Sequence, residues 1–236
     1  MREKIYELLL PYQNLERQQK SLMYFQSFKG GYGEGDQFIG VPVPAQRKVA
    51  KQLEKEYSLV QLSDAIASPY HEVRLTSLFI LILKFDKAIS PNEQETYIDF
   101  YLKHTQHVNN WDLVDSSAYK LLGEHLLDKS DRSIIYRLST SKNMWEQRIS
   151  IVATYAFIKN NHYKDTLLLA EKFLSHPHDL MHKATGWMLR EVAKRDPQLI
   201  IIFLKKHYND IPRTMLRYTI EKFPEIERKN ILLGKF

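Results

Sequence analysis

Along almost the whole chain the apolar residues recur every three or four positions, and no run alternates apolar with polar as a half-buried strand would. This period restricts the chain to packed helices. An opening helix over 2–10 carries Ile5, Leu8 and Leu9 on one face and stops at Pro11; Asn14 caps a second helix reaching about 28. Helical patterns then follow over 44–57, 59–67, 69–85, 91–104, 111–127, 132–139, 144–160, 164–175, 180–194, 197–208, 212–223 and 226–233. Comparable helix starts at Pro69, Trp111, Met144, Leu180 and Pro212 lie 42, 33, 36 and 32 residues apart. Each step holds a longer and a shorter helix. That spacing predicts an all-α superhelical solenoid of HEAT-like helical pairs, one domain over 1–236.

The one long irregular segment is 30–44, with five glycines and two prolines. A strand over 38–43 is conceivable there, and a loop is the better reading. The glycines invite a nucleotide-binding interpretation. The segment lacks the Lys-Ser/Thr of a P-loop, has the wrong spacing for a dinucleotide fingerprint, and follows a helix rather than a strand. Its glycines therefore read as turn residues.

The chain has no cysteine, so disulfides, iron–sulfur clusters and cysteine zinc sites are excluded and an intracellular, cytoplasmic address is expected. No signal peptide is expected, and the longest apolar run, 78–83, is too short to span a bilayer. Thirty-four basic residues against 28 acidic give a formal charge of +6, a mild pull toward an anionic partner, nucleic acid first.

Four phrases open helices in a loosely similar way: His71-Glu72-Val73-Arg74, Trp111-Asp112-Leu113-Val114-Asp115, Trp145-Glu146-Gln147-Arg148, and His182-Lys183 continuing to Trp187. In stacked pairs, equivalent helices share one surface. Arg74, Asp115, Arg148, Lys183 and Trp187 are thus predicted to line a concave basic face, a row of cations and aromatics with one acid. Trp111 and Asp115 stand one helical turn apart, and a tryptophan beside a carboxylate can hold a cation. The plainer alternative is a core tryptophan and an acid complementing the helix dipole. Trp145 and Arg148 share a helix face, where Arg148 suits a phosphate or an internal pair with Asp115. Lys183, Trp187 and Arg190 form one stripe, with Gly186 marking a close approach of protein or nucleic acid. Arg213 and Arg217 follow Pro212 at a helix start, as phosphate contacts or a solvated face. His176, His178 and His182 lack the glutamate of a zinc-protease helix and read as loop and cap residues, so no metal is expected. No Ser–His–Asp or Cys–His nucleophile arrangement stands out.

Taken together these residues resemble the DNA alkylation repair glycosylases, the AlkD-like proteins built from HEAT-like repeats. The resemblance covers about 18–223. It rests on Gly31-Tyr32-Gly33-Glu34-Gly35-Asp36-Gln37-Phe38-Ile39-Gly40-Val41 with Pro44 and Arg47, on the Trp111 and Trp145 phrases, and on Lys183 to Glu191, in matching order and spacing. Relatives often carry an aromatic where Asn110 stands, and a polar side chain can occur at Pro42. The resemblance implies a monofunctional glycosylase, without cofactor, that excises cationic N3- and N7-alkylated purines from double-stranded DNA as a monomer. Asp115, Trp111, Trp187 and Arg148 would be its catalytic residues. Tyr24, Arg47, Arg74, Trp145, Lys183, Arg190, Arg213 and Arg217 would face DNA. The alternative is a non-catalytic scaffold that holds DNA or protein on the same face.

Overall fold

A computed structural model describes residues 2–236, which pack as two compact units, 2–117 and 118–236. Among the described residues the regular structure is helical. One isolated parallel bridge, Gln37 to Tyr70, precedes the 38–43 stretch, which forms no strand.

The first unit holds α1 (Arg2–Leu9), α2 (Leu15–Tyr24), α3 (Val43–Leu53), α4 (Leu59–Ile66), α5 (His71–Asp86), α6 (Pro91–Lys103) and α7 (Trp111–Ser117). Their starts are set by local chemistry. The Asn14 side chain accepts from Arg17 N at 2.8 Å, Ser58 and Gln61 form a capping box, and Ser90 caps a helix whose first residue is Pro91. Helix α5 is buried from His71 to Ile82, with the hydroxyls of Thr76 and Ser77 bonded to the carbonyls one turn earlier, and it forms the centre on which α3, α4 and α7 pack. Helix α2 is the opposite case and buries none of its residues.

The glycine-rich loop between α2 and α3 is held in part by the buried Glu72 carboxylate. Glu72 accepts from the backbone N–H of Gly40 at 2.7 Å, of Ile39 at 3.0 Å and of Val41 at 3.3 Å. Gly40 has φ +87°, and a Cβ there would lie 2.1 Å from the Asn14 carbonyl oxygen. Both strain and collision oppose any side chain. Gly40→Ala is therefore expected to destabilise the protein by about 2–3 kcal/mol, read as a lower midpoint in chemical unfolding.

The second unit begins with a π-helical turn, Tyr119–Gly123, and the short α8 (Glu124–Leu126). It continues through α9 (Ser133–Ser139), α10 (Met144–Lys159), α11 (Lys164–Lys172), α12 (Asp179–Ala193), α13 (Pro197–His207), α14 (Arg213–Thr219) and α15 (Glu225–Leu232). Helices α10 and α12 form its centre. The uniform helix predicted over 111–127 is thus broken after Ser117. The wider turn brings Gly123 so close to α10 that a Cβ would lie 2.3 Å from the Ala153 carbonyl oxygen. Gly186 has the same kind of explanation, since a Cβ there would meet Tyr218 Cβ at 2.6 Å and Met215 O at 2.7 Å. Close packing of α12 on α14 accounts for this glycine. Arg132 ties three segments together through the carbonyls of Leu126 and Leu127, the Asp165 carboxylate at 2.7 Å and the Phe157 ring.

Candidate functional site

In the first unit the site is built around the start of α7. Asn110 is fully buried, and its side-chain oxygen accepts from Trp111 N at 2.9 Å. Its amide nitrogen reaches the Asp36 carboxylate at 3.4 Å. Asp112 accepts from Leu113 N at 2.9 Å with one oxygen and meets His71 Nε2 at 2.8 Å with the other. His71 Nδ1 lies 3.1 Å from Asp36. The second oxygen of Asp36 accepts from Arg74 Nη2 at 2.7 Å, while Arg74 Nη1 donates to the carbonyls of Ser68 and Pro69. Two carboxylates, an imidazole and a guanidinium thus form one buried network beneath Trp111.

The network sets its own protonation states. Burial pulls the His71 imidazole down, but the Asp112 carboxylate and the hydrogen bonds to Asp112 and Asp36 outweigh it and raise the pKa to about 9. At neutral pH His71 is a cation donating from both nitrogens. Burial pushes Asp36 up, and the hydrogen bond from His71 with the Arg74 charge more than reverses this, so its carboxyl sits below the usual range.

On this base stand the exposed parts. Trp111 is half-buried, stacked on Phe25 at 5.2 Å and 18°, with Tyr24 edge-on at 5.6 Å. Phe25 in turn stacks on Phe38 at 5.2 Å. A cleft of about 990 Å³ opens beside them, lined by Tyr24, Phe25, Phe38, Gln46, His71 and Asp112 among others. One turn beyond Trp111, Asp115 is half-buried, and its charge adds to the burial that pushes the Tyr101 phenol up. Arg47 is exposed, with its guanidinium 4.0 Å over the Phe79 ring.

Arg74 needs correction as a DNA-facing cation. It is 4% exposed, and Asp36 and two carbonyls occupy its guanidinium, so no phosphate can reach it. Trp145 in the second unit is likewise buried, behind the Asn143 cap of α10, and no longer qualifies as a DNA contact. Arg148 is 5% exposed and donates to the Leu180 carbonyl at 2.5 Å. Trp187 is half-buried beside Tyr155. Lys183 pairs with Asp179 at 2.8 Å, Arg190 with Glu221, and Arg213 donates to the Leu232 carbonyl at 3.2 Å. Arg217 is exposed.

His176 and His178 serve as loop and capping residues, and His182 lies within α12. His178 Nδ1 accepts from Leu180 N at 3.1 Å, His176 Nδ1 accepts from His178 N at 3.0 Å, and His182 reaches the His176 carbonyl at 2.5 Å. Among the described residues no group of three or more His, Cys, Asp or Glu is placed to hold a metal ion. Nor is any helix there long and apolar enough to cross a membrane.

Sequence reasoning missed Asp36, His71, Asn110 and Asp112 as a unit. Asp36, His71 and Asp112 lie inside phrases already singled out and Asn110 directly precedes one, and the available signal was polar side chains crowded around the positions that flank Trp111.

A family model for the DNA alkylation repair enzymes matches residues 5–223. No curated protein matches the chain. Among solved structures, a predicted DNA alkylation repair enzyme from Enterococcus faecalis is similar in fold, with a TM-score of 0.71 at 18% identity, covering 90% of this chain and 97% of the other.

Proposed function

This chain belongs to the DNA alkylation repair enzyme family, and from that premise we propose that it is a DNA glycosylase that hydrolyses the N-glycosidic bond of cationic N3- or N7-alkylated purines. The observation that carries this reading is the presentation of Trp111 and Asp115. Both are half-buried, one turn apart on α7, while Asp36, His71 and Asn110, which hold the helix start, are buried.

Alkylation at N7 or N3 places a positive charge on the purine and makes it a good leaving group. No general acid is then needed. The reaction needs a negative charge and π-faces where the sugar becomes an oxocarbenium ion, in place before the bond breaks. Asp115 supplies the charge and orients the attacking water. Trp111 offers its ring to the cationic sugar, an attraction of roughly 0.5–2 kcal/mol, and Trp187 is proposed for the same task. Arg148 is proposed to hold the neighbouring phosphate or to set the Asp115 carboxylate, in addition to its bond to the Leu180 carbonyl. Tyr24, Arg47, Lys183, Arg190, Arg213 and Arg217 remain as proposed DNA contacts.

The direct test is to incubate purified protein with duplex DNA containing 7-methylguanine, without added metal, and to assay free base. Release above the spontaneous rate supports the reading, and its absence refutes it. A second measurement addresses the cations. Arg213→Ala with Arg217→Ala should weaken binding to all sequences alike and lower the slope of log K against log salt by about 2. An unchanged slope removes both residues from the interface.

A further inference from the structure

The second unit carries a row of rings that ends on Trp187 and includes two, Tyr119 and Tyr155, that the excision chemistry does not use. Tyr119 lies in the π turn, Tyr155 in α10 and Trp187 in α12. The Tyr119 and Tyr155 rings meet edge to face at 5.2 Å, and Tyr155 and Trp187 lie 5.9 Å apart. Each ring is half-buried, while its neighbours Ala118, Ala156 and Met188 are buried, so the row lines the outer edge of the core. Two ammonium groups accompany it. Lys159 Nζ is 5.6 Å from the Tyr119 ring centre and 5.9 Å from that of Tyr155, and Lys120 Nζ is 5.8 Å from Tyr119.

We propose that Tyr119, Tyr155 and Trp187, with Lys120 and Lys159, form a contact surface for the sugar–phosphate backbone of a DNA strand. The proposal rests on DNA being the substrate and concerns binding rather than bond cleavage. Deoxyribose presents C–H faces that pack on aromatic rings, and the phosphates between successive sugars need cations beside those rings. The row supplies both, and nothing in it selects a base, so the contact is independent of sequence. Lys159 is already paired with Glu124 at 2.7 Å, with 37% of each side chain exposed. A pair this exposed is held weakly, so a phosphate can take the place of Glu124.

The test measures binding of an undamaged 20-base-pair duplex by fluorescence anisotropy across a salt series, with thermal unfolding to confirm that each variant folds. Lys120→Gln with Lys159→Gln should lower the slope of log K against log salt by about 2. Glu124→Gln should tighten binding roughly twofold by releasing Lys159. Tyr155→Leu should weaken binding roughly tenfold at fixed salt without changing the slope. If the lysine pair and Glu124→Gln all leave affinity and slope as in wild type, the surface does not meet DNA. Polyglutamate that displaces the duplex at equal charge concentration would equally overturn the proposal, since the rings would then contribute nothing. The glycosylase reading is scored separately, by free base released by the wild-type protein. A changed slope without base release would leave the surface in place and remove the chemistry, and base release with unchanged slopes would do the reverse.

Discussion

Replacing Asp115 with asparagine is expected to slow release of 7-methylguanine about ten-thousandfold while leaving affinity for undamaged DNA near that of the wild type. An effect of that size corresponds to about 5–6 kcal/mol of transition-state stabilisation. Two contributions reach it. A carboxylate about 4 Å from a developing sugar cation, at the effective dielectric of a partly exposed site, gives about 4 kcal/mol. Orientation of the attacking water by the same carboxylate supplies the rest. Asparagine keeps the shape and removes the charge, so the substitution separates electrostatics from packing. Asp115 is half-buried rather than enclosed, which lets the amide be accommodated without a buried orphan group. Single-turnover release of free base is the measurement. A variant that works as fast as wild type would remove Asp115 from the chemistry.

The same prediction shows what could be read before any fold was known. Trp111 and Asp115 were legible because a helical period fixes which residues share a face, and four residues is one turn. The all-α class was legible for the same reason, and most helix starts lie within a few residues of the expected positions because prolines and small polar caps mark them. The break after Ser117 was not legible, because the π turn depends on how closely Gly123 meets Ala153 and not on a local signal. Arg74 was misplaced for a related reason. An arginine in the first turn of a helix has the same local pattern whether it faces solvent or a carboxylate 38 residues earlier in the chain. Only the folded loop brings Asp36 to it. Trp145 illustrates the same problem for aromatics, since α10 is buried on most of its sides and only the packed neighbours decide which ring is covered.

Replacing His71 with alanine is expected to destabilise the protein by about 3–5 kcal/mol, and by less at high pH than at neutral pH. The magnitude follows from what is left behind. Asp36 and Asp112 each lose a hydrogen bond from a buried cation, and Asp36 retains Arg74 while Asp112 retains only the Leu113 N–H. The pH dependence follows from the raised pKa. His71 titrates near 9 in the folded protein against an ordinary 6.5 when unfolded. Its contribution is therefore complete below about 6.5 and is lost as pH rises through about 9, a change of about 3 kcal/mol. Asp36 works in the other direction. Its lowered pKa gives stability that is present above the ordinary carboxylate value and is lost as acid protonates it. Wild-type protein should thus lose stability between pH 6.5 and 9.5, and the His71→Ala curve should be flatter over that window. Chemical unfolding at half-unit pH steps reads both curves. Parallel curves would mean that His71 is not a buried cation, and the account of how the start of α7 is fixed would fail with it. The consequence extends to the surface, because Asn110 and Asp112 flank Trp111 and are bonded into this network. A loosened network should let the Trp111 ring leave its stack on Phe25, so the tryptophan emission of the wild-type protein should shift with pH along the same window as its stability.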